Sequence, residues 1–537
     1  MERVWLKHYP ERIKTEVDVP DTSVPDMLLT VTKTYRDKKA IHFYGKEWTY
    51  EELTQQVHAF SSGIQEQGLE KGDRVAIMLP NCPHYVISYY GTLLAGGIVT
   101  QVNPMLVGRD LAHLLGDAGA ETIIIYDPLL PVLQQVIDQT AIRHIITVNF
   151  PEEGSSNNNR VNFTDFLRRA KKPPEPVSID PAEDVAVLQY TGGTTGRSKG
   201  AMLTHRNVVA NVTQVREYFK DVIEPGNERY LTVIPLFHVF GMTSCMNLSI
   251  LVGGMNIMLP RFELEEVLET IKALRPTSFP GVPTMYVALT NHPRAEEYGI
   301  DSIKVCNSGS APMPLELMRS FEAKTGATIL EGYGLSESSP VTHCNPNFAD
   351  RKPGSIGIGI PSTDYKIVDL AEGTEEVPVG ELGELVVRGP QVMKGYWNMP
   401  EETEQALRDG WLYTGDIARM DEDGYVYIVD RKKDLIIASG YNIYPRDVEE
   451  VLYEHPAVME AVVVGVPDEY RGETVKAVLV LKEGKTVTDE EIIAYCRDHL
   501  APYKVPRIVE FRDELPKTNV GKILRRVIRE ESAKVNK

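Results

Sequence analysis

The chain has 537 residues, of which 57 are basic and 76 acidic, giving a formal net charge of −19. At roughly 150 residues per unit this length predicts three or four folding units, enough for a large core and a cleft between domains. The acidic balance argues against a nucleic-acid binder, which needs a basic footprint, but leaves room for an anionic ligand in a local basic pocket. Five cysteines, Cys82, Cys245, Cys306, Cys344 and Cys496, are scattered without a C-x-x-C pair. That predicts reduced thiols in a cytoplasmic protein and no structural zinc site. The opening stretch lacks an apolar signal core. No run reaches the ~18 apolar residues of a membrane span. Val86–Val102 and Cys245–Leu259 are interrupted by polar residues and glycine, and read as buried helix and strand.

Along the chain, Tyr50–Glu66 is periodic like an amphipathic helix and Arg74–Leu79 reads as a buried strand. A helix over Pro83–Ala95 follows, then strands at Thr122–Tyr126, His144–Val148 and Val185–Tyr190. This alternation predicts α/β layers with largely parallel sheets. Pro151–Arg160 reads as a surface loop and Lys171–Pro176 as a linker between two subdomains. Beyond Arg351 short strands and glycine turns take over, at Ser355–Ile360, Tyr365–Val368, Glu384–Arg388 and Tyr425–Val429. That texture predicts a small β subdomain over about 351–430. The α/β mixture returns from Arg431, as a separate C-terminal domain.

The most informative string is YTGGTTGRSKGAMLTHRN, residues Tyr190–Asn207. It lies between the strand and a helical stretch over Asn207–Tyr218. Gly192, Gly193, Gly196 and Gly200 free the backbone. Thr191, Thr194, Thr195 and Ser198 offer hydroxyls, and Lys199 adds a mobile cation. Backbone N–H groups, hydroxyls and a lysine around a loop are the chemistry of a polyphosphate cradle. It is not a Walker loop, because Lys199 is followed by Gly200 rather than Ser or Thr.

This string resembles the phosphate loop of the adenylate-forming superfamily of acyl-CoA synthetases, luciferases and adenylation domains. The resemblance implies an α/β fold with two sheet subdomains and a small β-barrel subdomain over 1–430. A mobile α+β C-terminal domain over 431–537 would follow. It assigns roles along the rest of the chain. In VIPLFHVFGM, His238 would lie beside the acyl and adenylate groups, with Phe237 and Met242 in the acyl pocket. In NSGSAP, Gly309, Ser310 and Ala311 would flank adenine and the acyl carbonyl. In ILEGYGLSES, Tyr333 would stack on adenine and Glu331, Gly332 and Gly334 would line it. Ser336 would touch the α-phosphate, and Glu337 would join Thr195 at Mg²⁺. In DGWLYTGDIARMDEDGYVYIVDRKKD, Asp416 would accept both ribose hydroxyls and Arg431 would add a second contact. Ile428 joins this nucleotide set, and Asp430 would be the hinge. The cluster Asp421–Asp423 reads as a solvated turn. Lys522, in PKTNVGKILRR, would reach the carboxylate and α-phosphate; with His238 and Lys199 it completes the catalytic set. After the first half-reaction the C-terminal domain would rotate. Lys433, Ser439, Gly440, Tyr441 and Asn442 would then line a tunnel for coenzyme A.

Within the superfamily the chain looks closest to bacterial long-chain fatty-acid–CoA ligases, from Val4–Pro10 through Arg526. Ile437 departs from the lysine many luciferase- and coumarate-type enzymes carry there. The resemblance implies ATP, Mg²⁺, a fatty acid and coenzyme A as the molecules handled, and no catalytic cysteine. A homodimer and peripheral contact at the inner face of the membrane are compatible with it. The alternatives are a ligase for another carboxylate (medium-chain or aryl), a noncatalytic binder of nucleotide or fatty acid, and an adenylation module loading a carrier protein.

Overall fold

Short Val/Ile runs become strands whose alternate residues serve two different cores. In the computed structural model, which describes residues 3–150, 160–170, 172–191, 198–311, 313–432, 434–438, 441–468, 471–518 and 523–535, an eight-stranded sheet takes up the first part of the chain. Its order is Gly395–Tyr396, Lys199–Thr204, Val185–Thr191, Ile98–Gln101, Arg74–Met78, Thr122–Tyr126, His144–Val148 and Arg160–Asn162. Val75, Ile77 and Ile124 point into a core shared with the next sheet. Ala76, Met78, Ile123 and Ile125 point the other way, against Leu111, Leu114 and Leu115 of the helix Gly108–Ala118. Each such side chain contributes about 1.5–3 kcal/mol on burial.

A nine-stranded sheet packs against the shared core. Its parallel centre includes Arg229–Thr232, Ser278–Gly281, Val305–Ser308 and Ile329–Gly334, and its antiparallel edge Val341–Cys344 and Ile358–Gly359. The helix His205–Tyr218 carries a polar stripe into this interior. Asn207 Nδ2 donates to the Pro390 carbonyl, Asn211 Nδ2 to Val341, and Gln214 Nε2 to Pro361, at 2.8, 2.8 and 2.7 Å. Buried amides need such partners. The fully buried Asn81 makes a second clamp. Its Nδ2 lies 3.0–3.3 Å from the carbonyls of Thr232, Ile234 and Leu259, and its Oδ1 accepts from Leu236 N at 2.8 Å.

The small β unit is a five-stranded antiparallel sheet built on Trp411–Met420. One edge of that strand pairs with Gly383–Arg388, the other with Leu407–Arg408 and Val426–Arg431. The opening motif docks here: Trp5 is buried and stacks on Tyr365 with ring centroids 3.9 Å apart. The smaller C-terminal domain repeats the two-faced rule. Ala461, Val463, Ala477 and Leu479 meet the helices Pro445–Glu454 and Asp489–His499 through Val448, Leu452, Ile492 and Cys496. Val462, Val464, Val466, Val478 and Val480 meet Leu515 and Ile528.

Several expectations change. Lys171–Pro176 does not separate two subdomains, because the strands on either side, Arg160–Asn162 and Val185–Thr191, belong to one sheet. Of Ser355–Ile360 only Ile358–Gly359 is strand, at the edge of the nine-stranded sheet, because Gly357 at φ +84° turns the backbone just before it. Residues 151–159 of the expected surface loop lie outside the described set. The Asp421–Asp423 turn is more than solvated: Lys352 Nζ lies 2.7 Å from both Asp421 and Asp423, and Lys7 reaches Asp423 at 2.7 Å. No helix among the described residues is long and apolar enough to cross a membrane, and all five cysteines are free and buried.

His205 opens the central helix and is buried, its Nδ1 accepting from Val24 N at 3.2 Å. Burial lowers its pKa from 6.5 to about 4, so the folded protein holds it neutral while the unfolded chain takes up a proton. Its contribution is complete above pH 6.5 and is lost as pH falls toward 4. Between pH 7.5 and 5.5 it removes roughly 1 kcal/mol of stability. His205→Asn keeps an acceptor for Val24 and cannot titrate. Its urea-unfolding free energy is expected to fall less between those two pH values than that of the wild type; an equal fall excludes His205 as the cause.

Candidate active site

The glycine-rich string is the tip of a β-hairpin, not a direct strand-to-helix loop. Tyr190 pairs with Gly200 and Thr191 with Lys199, and the strand Lys199–Thr204 comes before the helix. The alternation of Ala201 and Leu203, both buried, explains that strand. Gly192, Gly193, Thr194, Thr195 and Gly196, the centre of the expected cradle, lie outside the described residues. Both ends of the tip are held. Tyr190 Oη donates to Asp117 Oδ2 at 2.6 Å, and His113 Nε2 donates to the Ser198 carbonyl at 3.2 Å. A Cβ at Gly200 would stand 3.1 Å from the Tyr190 ring, a tight approach that glycine avoids.

The segment Glu331–Glu337 runs from the large sheet past the small one and back to this hairpin. Tyr333 Oη donates to Asp416 Oδ2 at 2.5 Å, and Arg431 Nε lies 2.7 Å from Asp416 Oδ1. Asp416 and Arg431 are cross-strand partners. Asp416 is only 2% exposed, yet each carboxylate oxygen has a partner. Asp416 in turn pushes the Arg431 pKa up, and burial followed by Asp416 pushes Tyr333 well above its usual value. Three expected nucleoside-binding residues thus form one cluster. Ile428, half-buried on the neighbouring strand, directs its carbonyl to Arg446 Nη1 at 2.6 Å.

Glu331 differs from expectation. Its carboxylate is buried and accepts from Gly354 N at 3.0 Å and Met313 N at 3.4 Å. Burial raises its pKa. The side chain therefore anchors the loop after Ala311, and only its backbone is left to line a ligand. In that loop Ser310 adopts φ +66°, a left-handed conformation that non-glycine residues seldom take and that clusters at functional sites. Gly309 passes the ring of Phe240, which a Cβ would meet at 3.3 Å. Gly332 pairs with Cys344. Gly334 is exposed, and a Cβ there would stand 2.0 Å from the Pro340 carbonyl oxygen. Ser336 opens the single turn Ser336–Ser338 that carries Glu337.

Two residues that the sequence reading passed over, Tyr396 and Trp397, tie Glu337 and the hairpin together. Tyr396 Oη donates to Glu337 Oε1 at 2.7 Å, and Lys199 Nζ sits 5.2 Å from the centroid of the same ring. Trp397 donates N–H to the Gly200 carbonyl at 2.7 Å and Nε1–H to the Asp117 carbonyl at 3.1 Å. The string KGYWNMP carries no glycine-loop or ion-pair signal. Two adjacent aromatics before a proline were its only mark. Among the described residues no group of three or more His, Cys, Asp or Glu side chains could hold a metal by itself. A half-buried carboxylate with Oε1 already fixed suits Mg²⁺ arriving with nucleotide oxygens, which needs only one or two protein carboxylates.

On the expected acyl side His238 is half-buried, with Nδ1 accepting from Phe240 N at 3.3 Å. Phe237 is 9% exposed and its carbonyl accepts from Gln189 Nε2 at 3.2 Å. Met242 is fully buried with Gln101 Nε2 3.0 Å from its sulfur. It packs within the core. It lies in a wide helical turn, Gly241–Asn247, where a Cβ at Gly241 would clash with the Pro235 carbonyl at 2.3 Å. Asn81, also missed, fixes the start of this loop through Leu236.

Of the C-terminal residues, Lys433, Ser439, Gly440 and Lys522 lie outside the described set, as does the Tyr441 side chain. Asn442 is exposed on a strand paired with Ile436–Ala438, and Ile437 is 53% exposed. Asp430 is buried where the small sheet ends. Its Oδ2 accepts from Arg446 N, near the start of the next helix, at 3.0 Å. Burial raises its pKa to about 6 against the pull of Arg525, 4.0 Å away.

Comparison with known proteins gives this arrangement a family. The profile described as AMP-binding enzyme matches residues 29–397, and that of the AMP-binding enzyme C-terminal domain matches residues 447–522. The long-chain-fatty-acid–CoA ligase of Bacillus subtilis is 48% identical, covering 99% of this chain and 98% of its own length. The protein of that name from Escherichia coli O6:H1 is 41% identical and covers 99% of both chains. Among solved structures, ATP-bound MatB from Rhodopseudomonas palustris matches with a TM-score of 0.87 at 31% identity, over 96% of this chain and 100% of that one. The chain belongs to the AMP-binding enzyme family, with the large N-terminal and smaller C-terminal domains of its adenylate-forming members.

Proposed function

We propose that this protein is an AMP-forming long-chain fatty-acid–CoA ligase. The observation that carries the reading is the course of Glu331–Glu337. One short segment meets Asp416 and Arg431 through Tyr333, and meets the phosphate hairpin through Glu337 and Tyr396. A nucleoside pole and a phosphate pole are thereby held at a fixed separation, as binding of a whole nucleotide requires. The full-length similarity to long-chain ligases supports the acyl class.

In the first step a fatty carboxylate oxygen attacks the α-phosphorus of ATP and pyrophosphate leaves, forming an acyl-adenylate. Asp416 accepts from the ribose hydroxyls, the ring of Tyr333 packs on adenine, and the backbone of Gly309–Ala311 flanks the base. The hairpin residues Thr191–Gly196 and Lys199 hold the phosphates, and His238 borders the reacting acyl group. Thr195 and Glu337 would hold Mg²⁺, which when bound neutralises phosphate charge. Lys522 orients carboxylate and α-phosphate. In the second step the thiol of coenzyme A attacks the acyl carbonyl and AMP leaves. The C-terminal domain, from residue 431, turns about Asp430 between the steps and brings Lys433 and Ser439–Asn442 to the pantetheine arm. No cysteine takes part, and the burial that raises the thiol pKa of Cys306 and Cys344 fits that.

The direct test is pyrophosphate release with carboxylates of graded chain length, with and without coenzyme A. Release is expected to require a carboxylate and to be fastest with long chains. A best substrate among aryl or short acids overturns the long-chain assignment, and release independent of any carboxylate overturns the ligase. A second test separates the half-reactions. Lys522→Ala is expected to slow acyl-adenylate formation at least a hundredfold. Conversion of supplied acyl-adenylate to acyl-CoA should stay within a few-fold of wild type. Equal loss in both steps removes Lys522 from the first.

A further inference from the structure

We propose that Tyr396 is a positioning residue that holds the metal-directed carboxylate of Glu337 and the phosphate-directed ammonium of Lys199 in place and apart. The proposal rests on the nucleotide reading above. The phenol donates to Glu337 Oε1 at 2.7 Å, while the ring face meets Lys199 Nζ at 5.2 Å. Lys199 and Glu337 form no ion pair with each other among the described residues. Two opposite charges at one site would gain by pairing directly, and each would then be neutralised before a ligand arrived. A phenol hydroxyl on one side and a π face on the other stand between the two charges. The hydroxyl satisfies one carboxylate oxygen, Oε1, and among the described residues no hydrogen bond or ion pair occupies Oε2. The ring quadrupole steadies the ammonium without supplying a counter-charge.

The ring is itself fixed on several sides. Tyr396 pairs with Ala201 across the strands, and its N–H donates to Thr403 Oγ1 at 2.9 Å. Met393 N donates to the Glu337 carbonyl at 2.8 Å, so the same segment also holds the Glu337 backbone. On the other side Trp397 is bonded to Gly200 and Asp117, with the Arg74 guanidinium 5.7 Å from its ring centroid. A residue locked in this way imposes its geometry on its partners.

Two variants separate the hydroxyl from the ring. Tyr396→Phe keeps the ring under Lys199 and loses the donor to Glu337. Tyr396→Leu loses both. The readout is equilibrium ATP binding to the full chain, in EDTA and with Mn²⁺ as the metal probe, with bound Mn²⁺ followed by its electron paramagnetic resonance signal. For Tyr396→Phe, metal-free ATP affinity is expected to stay within twofold of wild type. Its gain in affinity with Mn²⁺ should fall three- to tenfold. For Tyr396→Leu both quantities should fall, metal-free affinity by at least threefold. Unchanged Mn²⁺-linked binding in Tyr396→Phe overturns the proposal, as does an equal loss with and without metal in that variant, or the absence of any metal-linked gain in the wild type. The assay needs no acyl acceptor. A chain that passes it but releases no pyrophosphate with any carboxylate would refute the ligase reading and leave this inference standing.

Discussion

A carboxylate that is almost wholly buried must either give up its charge or find partners, and Asp416 has found two from different parts of the molecule. Tyr333 comes from the large sheet, and Arg431 from the end of the last strand of the small sheet, at the domain boundary. Removing one partner of such a pair costs about 3–5 kcal/mol, because the remaining charge is left without compensation. The large sheet, the small sheet and the domain boundary are therefore mutually registered through one side chain. Its position on Trp411–Met420 strengthens this, since that strand pairs along both edges within the small sheet.

A second set of polar contacts fixes the phosphate pole relative to the first. The helix that follows the hairpin sends Asn207, Asn211 and Gln214 to the carbonyls of Pro390, Val341 and Pro361. Val341 and Pro390 lie close in sequence to Glu337 and Tyr396 respectively. An apolar face could have packed there with similar burial. Amide-to-carbonyl bonds instead specify one register, because a slip along the helix would leave several buried amides unpaired at about 1–3 kcal/mol each. The site is thus positioned by directional bonds and stabilised by the nonpolar core around them.

Much of this was legible in the sequence for identifiable reasons. The two-faced strands show as Val/Ile runs such as Thr122–Tyr126, because both faces are buried. The nucleoside cluster was legible because the strings that carry Tyr333, Asp416 and Arg431 resemble those of the adenylate-forming superfamily. What escaped depends on distant pairing. The strand Lys199–Thr204 was hidden because its glycine and hydroxyl content resembles loop, and its partner Gly395–Tyr396 lies nearly two hundred residues away. Asn81 and Tyr396 were missed for the same reason. A lone Asn or Tyr shows nothing of the carbonyls or carboxylate it will meet after folding. The direction of the Glu331 carboxylate, taken up by Gly354 and Met313, was not legible, because sequence gives its neighbours but not where the side chain points.

The charge balance acquires a mechanism-level meaning in this arrangement. Within a chain of net charge −19, few cations face the site, and they are not equivalent. Arg431 is already neutralised by Asp416 and cannot also balance a triphosphate. Lys199 instead faces the aromatic ring of Tyr396, and no carboxylate pairs with it among the described residues. On the proposed reading, the remaining positive charge must come with the ligand, as Mg²⁺, or with the C-terminal domain, as Lys522. A site so assembled has its full complement of cations only when nucleotide and domain are both in place. A permanently basic pocket would bind ATP more tightly but would hold AMP and pyrophosphate as well, and uniform binding of that kind does not speed turnover.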